Sequence, residues 1–275
     1  MYHCYKNGQI KPFNEVQIGV NELGLLRGYG LFDYFRTYNQ SPFQWDWYWN
    51  RFANSAQKLG ISVPISKEKA QEIVSELIGL SPEKECAIRF VLTGGISLDG
   101  LSSEEPTFFI LSEKISDPSE KEYTQGIKVE SREYLRDMPE IKSTDYKFLL
   151  KIRPELIKNE SKDVLFVKDG YISELSRSNI FLINNNSLIT PSENILHGIT
   201  RKTVLELAKD DFNIEERPVT FQELLQAEEV FTTSSTKKVL GIFQIDNQTI
   251  GQGKVGPKTH SILAKFNALT QSWAG

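Results

Sequence analysis

Between residues 164 and 190 the chain reads as two β-hairpins in succession, and that pattern limits the fold more than any other stretch. Residues 164–167 and 171–174 flank the turn Lys168-Asp169-Gly170, and 179–183 and 188–190 flank Asn184-Asn185-Asn186. Asp, Asn and Gly tolerate the positive φ that short hairpin loops need. Consecutive hairpins require an antiparallel sheet, yet helical patterns stand on both sides of them. Trp45, Tyr48, Trp49, Phe52, Ala56 and Leu59 recur at helical spacing, which predicts an amphipathic helix over 46–59. Ser66 can cap a second helix with Ala70, Ile73, Val74, Leu77 and Ile78 on one face. Residues 87–93 alternate as a strand, with Ile88, Phe90 and Leu92 on one face and Arg89, Val91 and Thr93 on the other, and 107–111 read as another strand. After the hairpins come a helix from about Ile199, strands near 229–233 and 239–244, and a helix after Pro257. The mixture predicts an α+β fold with two domains. The expected division is a smaller N-terminal domain over 1–115, a polar connection over 116–125 and a larger domain over 126–275.

Several classes of function are disfavoured at this point. The formal net charge is −4 and no long basic run is present, so a nucleic acid partner is not expected. No apolar stretch approaches the ~20 residues of a membrane span, and the N-terminal residues lack the apolar region of a signal peptide. Only Cys4 and Cys86 occur, which fits a reducing, cytoplasmic setting better than a disulfide framework. The three histidines, 3, 197 and 260, have no metal-ligand spacing, so no metal is expected. Gly251, Gly253 and Gly256 match a dinucleotide-binding glycine pattern, but only 19 residues follow, too few for the required unit. That segment reads as a turn before the last helix.

Three short segments carry chemistry. Residues 140–146 are Glu-Ile-Lys-Ser-Thr-Asp-Tyr, residues 174–181 are Glu-Leu-Ser-Arg-Ser-Asn-Ile-Phe, and residues 196–201 are Leu-His-Gly-Ile-Thr-Arg. A lysine can form an imine and then shuttle a proton. A carboxylate can hold a positively charged nitrogen in its charged form. A helix start with a glycine presents backbone N–H groups to an anion. Upstream, Arg51 lies in Arg-Phe-Ala-Asn-Ser-Ala.

In this order the segments resemble the class IV pyridoxal phosphate-dependent transaminases, of the D-amino-acid or branched-chain type. The resemblance runs from about Arg27 to the C-terminal helix. It implies a two-domain fold of the D-amino-acid aminotransferase kind, with the active site between the domains, and pyridoxal 5'-phosphate as cofactor. It further implies that Lys142 forms the Schiff base, that Glu174 faces the pyridine nitrogen, and that Arg51, Ile199, Thr200, Ser235 and Ser234 serve the phosphate. Lys147 is the competing lysine, but it falls within a helical run. The family resemblance also implies a homodimer acting on small amino acid and 2-oxo acid substrates.

Substrate choice is less constrained. D-amino-acid enzymes carry an Arg-x-His pair after the strand at 87–93, whereas this chain has Thr93-Gly94-Gly95-Ile96-Ser97. Arg89, Arg27 and Arg177 therefore become the candidates for holding a substrate carboxylate, Arg89 first. The expected activity is transamination of a D-amino acid. Branched-chain L-amino-acid transamination, aminodeoxychorismate lysis and a cofactor-free binding role on the same scaffold are the alternatives.

Overall fold

A computed structural model describes residues 1–275 and divides into two compact units. The first comprises Met1–Ser116, Ile141–Asp145 and Trp273–Gly275. The second comprises Asp117–Glu140 and Tyr146–Ser272. The short segment that carries Lys142 is thus grouped with the N-terminal unit.

The first unit holds β1 (His3–Lys6), β2 (Gln9–Pro12), α1 (Leu23–Arg27), β3 (Gly30–Tyr38), β4 (Ser41–Pro42), α2 (Trp45–Leu59), α3 (Lys67–Gly79), β5 (Ala87–Ile96) and β6 (Glu105–Glu113). Its six strands form one antiparallel sheet in the order β2-β1-β6-β5-β3-β4. Helix α2 packs on β3, and α3 on β1 and β6. Ser66 caps α3 as its sequence suggests, accepting from the Lys69 N–H. Ile88, Phe90 and Leu92 are fully buried. The Phe90 ring meets Phe52 at 5.3 Å, Phe35 at 5.4 Å and Trp45 at 5.9 Å between centroids. Such edge-on pairs add about 0.5–1.5 kcal/mol each beyond area burial. Strand β3 is absent from the strands expected above. It is buried along most of its length, Asp33 and Arg36 included, so no clean polar–apolar alternation marks it.

The second unit holds α4 (Glu120–Gln125), β7 (Ile127–Glu133), α5 (Lys147–Lys158), β8 (Asp163–Lys168), β9 (Tyr171–Leu175), β10 (Asn179–Asn184), β11 (Ser187–Thr190), α6 (Ile199–Ala208), β12 (Asn213–Glu216), β13 (Val219–Thr220), α7 (Phe221–Leu225), β14 (Glu229–Ser234), β15 (Lys238–Ile245), β16 (Gln248–Thr249) and α8 (Pro257–Gln271). Its strands run β12-β11-β10-β14-β15-β7-β8-β9-β13, with β16 on β15. Both expected hairpins are present, β8–β9 and β10–β11. Ile127, Leu165, Ile180, Leu182 and Ile242 form part of the core beneath the sheet. Helix α6 packs on β14 and α8. Within the expected connection, Ser119 and Glu122 cap each other reciprocally and start α4. The glycines from 251 onward form the turn into α8, with Gly256 as its N-cap.

Candidate active site

Lys142 is fixed through its backbone. Its carbonyl accepts from the Phe32 N–H at 2.9 Å, and Thr144 N donates to Gly30 O at 3.0 Å. Leu31 and Ser143 form an antiparallel bridge. The start of β3 has no strand beyond it, because β4 pairs only with Thr37 and Tyr38. Residues 142–144 satisfy that open edge. The Lys142 Nζ stands 4.8 Å from the Phe32 ring centroid. Lys147, the competing lysine, is exposed at the start of α5 in the other unit.

The same Phe32 ring meets Arg89, whose guanidinium carbon is 5.3 Å from its centroid and 5.1 Å from that of Tyr34. Register explains this, since Tyr34 pairs with Arg89 and Phe32 with Val91 across β3 and β5. Arg89 Nε donates to Glu113 Oε2 at 2.8 Å, and the arginine side chain is 32% exposed. No acceptor in the chain takes its two terminal NH2 groups. Arg27 lies exposed at the end of α1, and Arg177 is exposed in the β9–β10 turn.

Arg51 points from α2 to β3. Its Nε and Nη2 hold the two Asp33 oxygens at 2.9 and 2.6 Å. Asp33 is fully buried, and such a two-pronged pair is among the stronger hydrogen-bonded contacts. The sequence pattern gave no sign that Asp33 would be this arginine's partner.

In the second unit Glu174 is buried, 4% exposed, rather than facing water at a strand end. Arg136 Nε donates to its Oε1 at 2.9 Å, and the Leu196 N–H donates to its Oε2 at 3.0 Å. Arg136 Nη2 also donates to the Pro139 carbonyl. Two donors of this kind stabilise an ionised carboxylate in the interior. Nearby, burial pushes the Tyr146 hydroxyl above its ordinary range, against a downward pull from Arg136 and Arg177.

Gly198 caps α6 without any side-chain bond, and no acidic residue occupies the first turn of that helix. A Cβ on Gly198 would come within 2.1 Å of Asn179 Oδ1, so any larger residue there would push the Asn179 side chain aside. Asn179 in turn donates to the Leu196 carbonyl at 2.7 Å and fixes the entry to α6. Thr200 is buried at the helix start. Thr233, at the end of β14, buries a hydroxyl that has no hydrogen-bond partner. Ser234 and Thr236 bond each other at 3.3 Å in the turn that follows, which also contains Ser235.

Behind this turn lies a buried ion pair that sequence reasoning did not find. Lys237 Nζ is 2.5 Å from Asp163 Oδ2 and 3.0 Å from Ser178 Oγ. Ser176 donates to the other Asp163 oxygen, which also accepts from the Val164 N–H at 2.9 Å. Burial alone would raise the Asp163 carboxyl, but Lys237 and, secondarily, Arg177 outweigh it and hold the group below the ordinary carboxylate range. These partners lie 74 residues apart and share no local motif. Arg136 is likewise invisible to a local pattern.

The model of amino-transferase class IV matches residues 30–245, most of the chain. The chain belongs to the class IV aminotransferases. A Methanocaldococcus jannaschii protein, provisionally named a branched-chain-amino-acid aminotransferase, is 30% identical over 98% of this chain and 96% of its own length. The D-alanine aminotransferase of Bacillus licheniformis is 28% identical, covering 93% of each chain. Among solved structures, the Escherichia coli branched-chain amino acid aminotransferase superposes with a TM-score of 0.91 at 22% identity, over 98% of this chain and 94% of that one. The T.th. branched-chain amino acid aminotransferase with pyridoxamine 5'-phosphate gives the same values. The α+β fold expected from the sequence is therefore that of the family. As an aminotransferase, the chain is an enzyme. No helix is long and apolar enough to cross a membrane.

Proposed function

We propose that this class IV aminotransferase binds pyridoxal 5'-phosphate and moves an amino group between a D-amino acid and a 2-oxo acid. Glu174 carries the reading. A buried carboxylate with one guanidinium and one backbone N–H on it, inside the family segment, suits a partner for a protonated ring nitrogen. The donor set near α6 also fits the cofactor. A helix start with no side-chain cap and no acidic residue, the buried Thr200, the unsatisfied Thr233 hydroxyl, and Ser234 and Ser235 together suit a phosphate dianion. When bound, the cofactor supplies an aldehyde for the amino group and an electron-poor ring for the electron pair left on the substrate carbon.

The residues have distinct roles in this proposal. Lys142 supplies the amine that holds the cofactor, and its Nζ then carries a proton between two carbon positions. Its backbone anchorage to β3 restricts the directions the amine can take. Glu174 keeps the ring nitrogen protonated. Ile199 and Thr200 give backbone N–H groups to the phosphate, and Ser234 and Ser235 give hydroxyls. Arg51 would meet the phosphate with a guanidinium whose Nε and Nη2 already hold Asp33.

Arg89 is the proposed receiver of the substrate carboxylate, since its terminal NH2 groups take no acceptor in the chain and Phe32 and Tyr34 stiffen its plane. Arg27 and Arg177, both exposed, rank behind it. A homodimer is proposed on the strength of the family resemblance, and sedimentation at working concentration tests it. The substrate reading is tested with a panel of D- and L-amino acids against pyruvate and 2-oxoglutarate, with aminodeoxychorismate added. Turnover of D-amino acids supports the proposal. Turnover of L-leucine or L-valine alone makes the enzyme a branched-chain transaminase, the activity named for the Methanocaldococcus relative. Release of pyruvate from aminodeoxychorismate alone makes it a lyase. Failure to take up pyridoxal phosphate favours the binding protein.

A further inference from the structure

The Lys237 ammonium joins three separate parts of the second unit. It follows the hydroxyl-rich turn directly, and its own N–H donates to Ser234 Oγ at 3.1 Å. Its side chain, 12% exposed, runs inward to Asp163 at the first position of β8. It also reaches Ser178, in the turn between Glu174 and β10. The Lys237 carbonyl accepts from the Tyr123 hydroxyl at 3.2 Å, which ties the same residue to α4. Asp163 spends its other oxygen on Ser176 and the Val164 N–H, so both of its carboxylate oxygens are paired. A largely buried charged network of this kind fixes one arrangement of the chain far better than exposed turn residues do. Without it, the Ser234–Thr236 stretch would be held only by the Ser234–Lys238 end of the β14–β15 pairing and by its own hydroxyls.

We propose that Lys237 and Asp163 are positioning residues that hold the turn containing Ser234 and Ser235 in register with the α6 N-terminus for the cofactor phosphate. This rests on the phosphate reading given above. Neither residue touches the phosphate; they act through the hydroxyls.

The test compares two probes on the full-length apoenzyme: pyridoxal phosphate and pyridoxal, which lacks the phosphate. Dissociation constants are read by equilibrium dialysis for the parent, Lys237→Met, Lys237→Arg, Ser235→Ala and Thr200→Val. Lys237→Met should weaken pyridoxal phosphate by about 10- to 100-fold, the usual effect of removing a group that orients a binding residue, and leave pyridoxal unchanged. Lys237→Arg keeps the cation and should restore most of the affinity. Circular dichroism of each variant separates this effect from a failure to fold. Should Lys237→Met not fold, Lys237→Arg and Asp163→Asn carry the comparison, and the proposal then predicts a selective loss for Asp163→Asn. If Ser235→Ala and Thr200→Val lower phosphate-dependent affinity while the folded Lys237 and Asp163 variants do not, the positioning proposal is overturned and the phosphate reading stands. If none of these variants changes the ratio between the two probes, the phosphate reading fails and takes the proposal with it.

Discussion

Arg136 Nε lies 2.9 Å from Glu174 Oε1, joining residues 38 apart in the chain. Arg136 follows the end of β7, and Glu174 lies in β9, one strand beyond β8 in the sheet. The carboxylate is therefore held in the interior by a cation from a loop and by the Leu196 N–H at the approach to α6. Its orientation is set before any ligand arrives.

Replacing Glu174 with Gln should retain cofactor and slow turnover by on the order of 10²-fold or more, because an amide cannot keep a ring nitrogen protonated. Single-turnover kinetics with substrate in excess give the rate directly. A rate equal to the parent's removes Glu174 from the proposed role. Arg136→Met should produce a smaller loss, about tenfold, by releasing the carboxylate, and Arg136→Lys should recover part of it.

For Arg89 the expected signature is a loss specific to substrate. Removing a two-pronged, charged carboxylate contact should cost about 2–4 kcal/mol of transition-state binding, roughly 30- to 1000-fold in kcat/KM. Arg89→Leu should show this with a D-amino acid while its cofactor absorbance stays as in the parent. Parent-like kcat/KM in the variant excludes Arg89 as the carboxylate receiver.

The Asp163–Lys237 pair makes a prediction about pH. Asp163 is held below its ordinary value in the folded protein, against about 3.9 when unfolded. A depressed carboxylate contributes stability that is present above about pH 4 and is lost as pH falls towards the folded value. Asp163→Asn strands the Lys237 ammonium and should cost about 3–5 kcal/mol at neutral pH. Its stability should also fall less steeply than the parent's below pH 4. Urea unfolding at pH 7 and pH 3 for both proteins measures the two slopes, and parallel slopes contradict the assignment.

Local patterns showed a good part of this fold. The two hairpins, the Ser66 cap and the alternation in β5 follow from side-chain period and turn chemistry, which act over a few residues. The lysine segment, Glu174 and the α6 start are legible only through their resemblance to a family, because Lys142 alone is indistinguishable from a surface lysine. Strand β3 escaped notice, since Asp33 and Arg36 sit within it and are buried by partners elsewhere. Arg136, Asp163 and Lys237 escaped for a related reason. Their meaning lies in contacts 38 and 74 residues away, which no periodicity encodes. The Arg51 motif points to a phosphate arginine, but the Asp33 carboxylate that orients it is visible only in the structure.

The central claim is that Lys142 is the amine that binds pyridoxal phosphate. Reconstituting the enzyme with pyridoxal phosphate, reducing with borohydride, and mapping the modified peptide by mass spectrometry tests it most directly. The account predicts a single stable adduct on Lys142, with none in Lys142→Ala, a variant that keeps its circular dichroism spectrum and loses turnover. An adduct on Lys147, or a Lys142→Ala protein that still traps the cofactor and turns over, would contradict it.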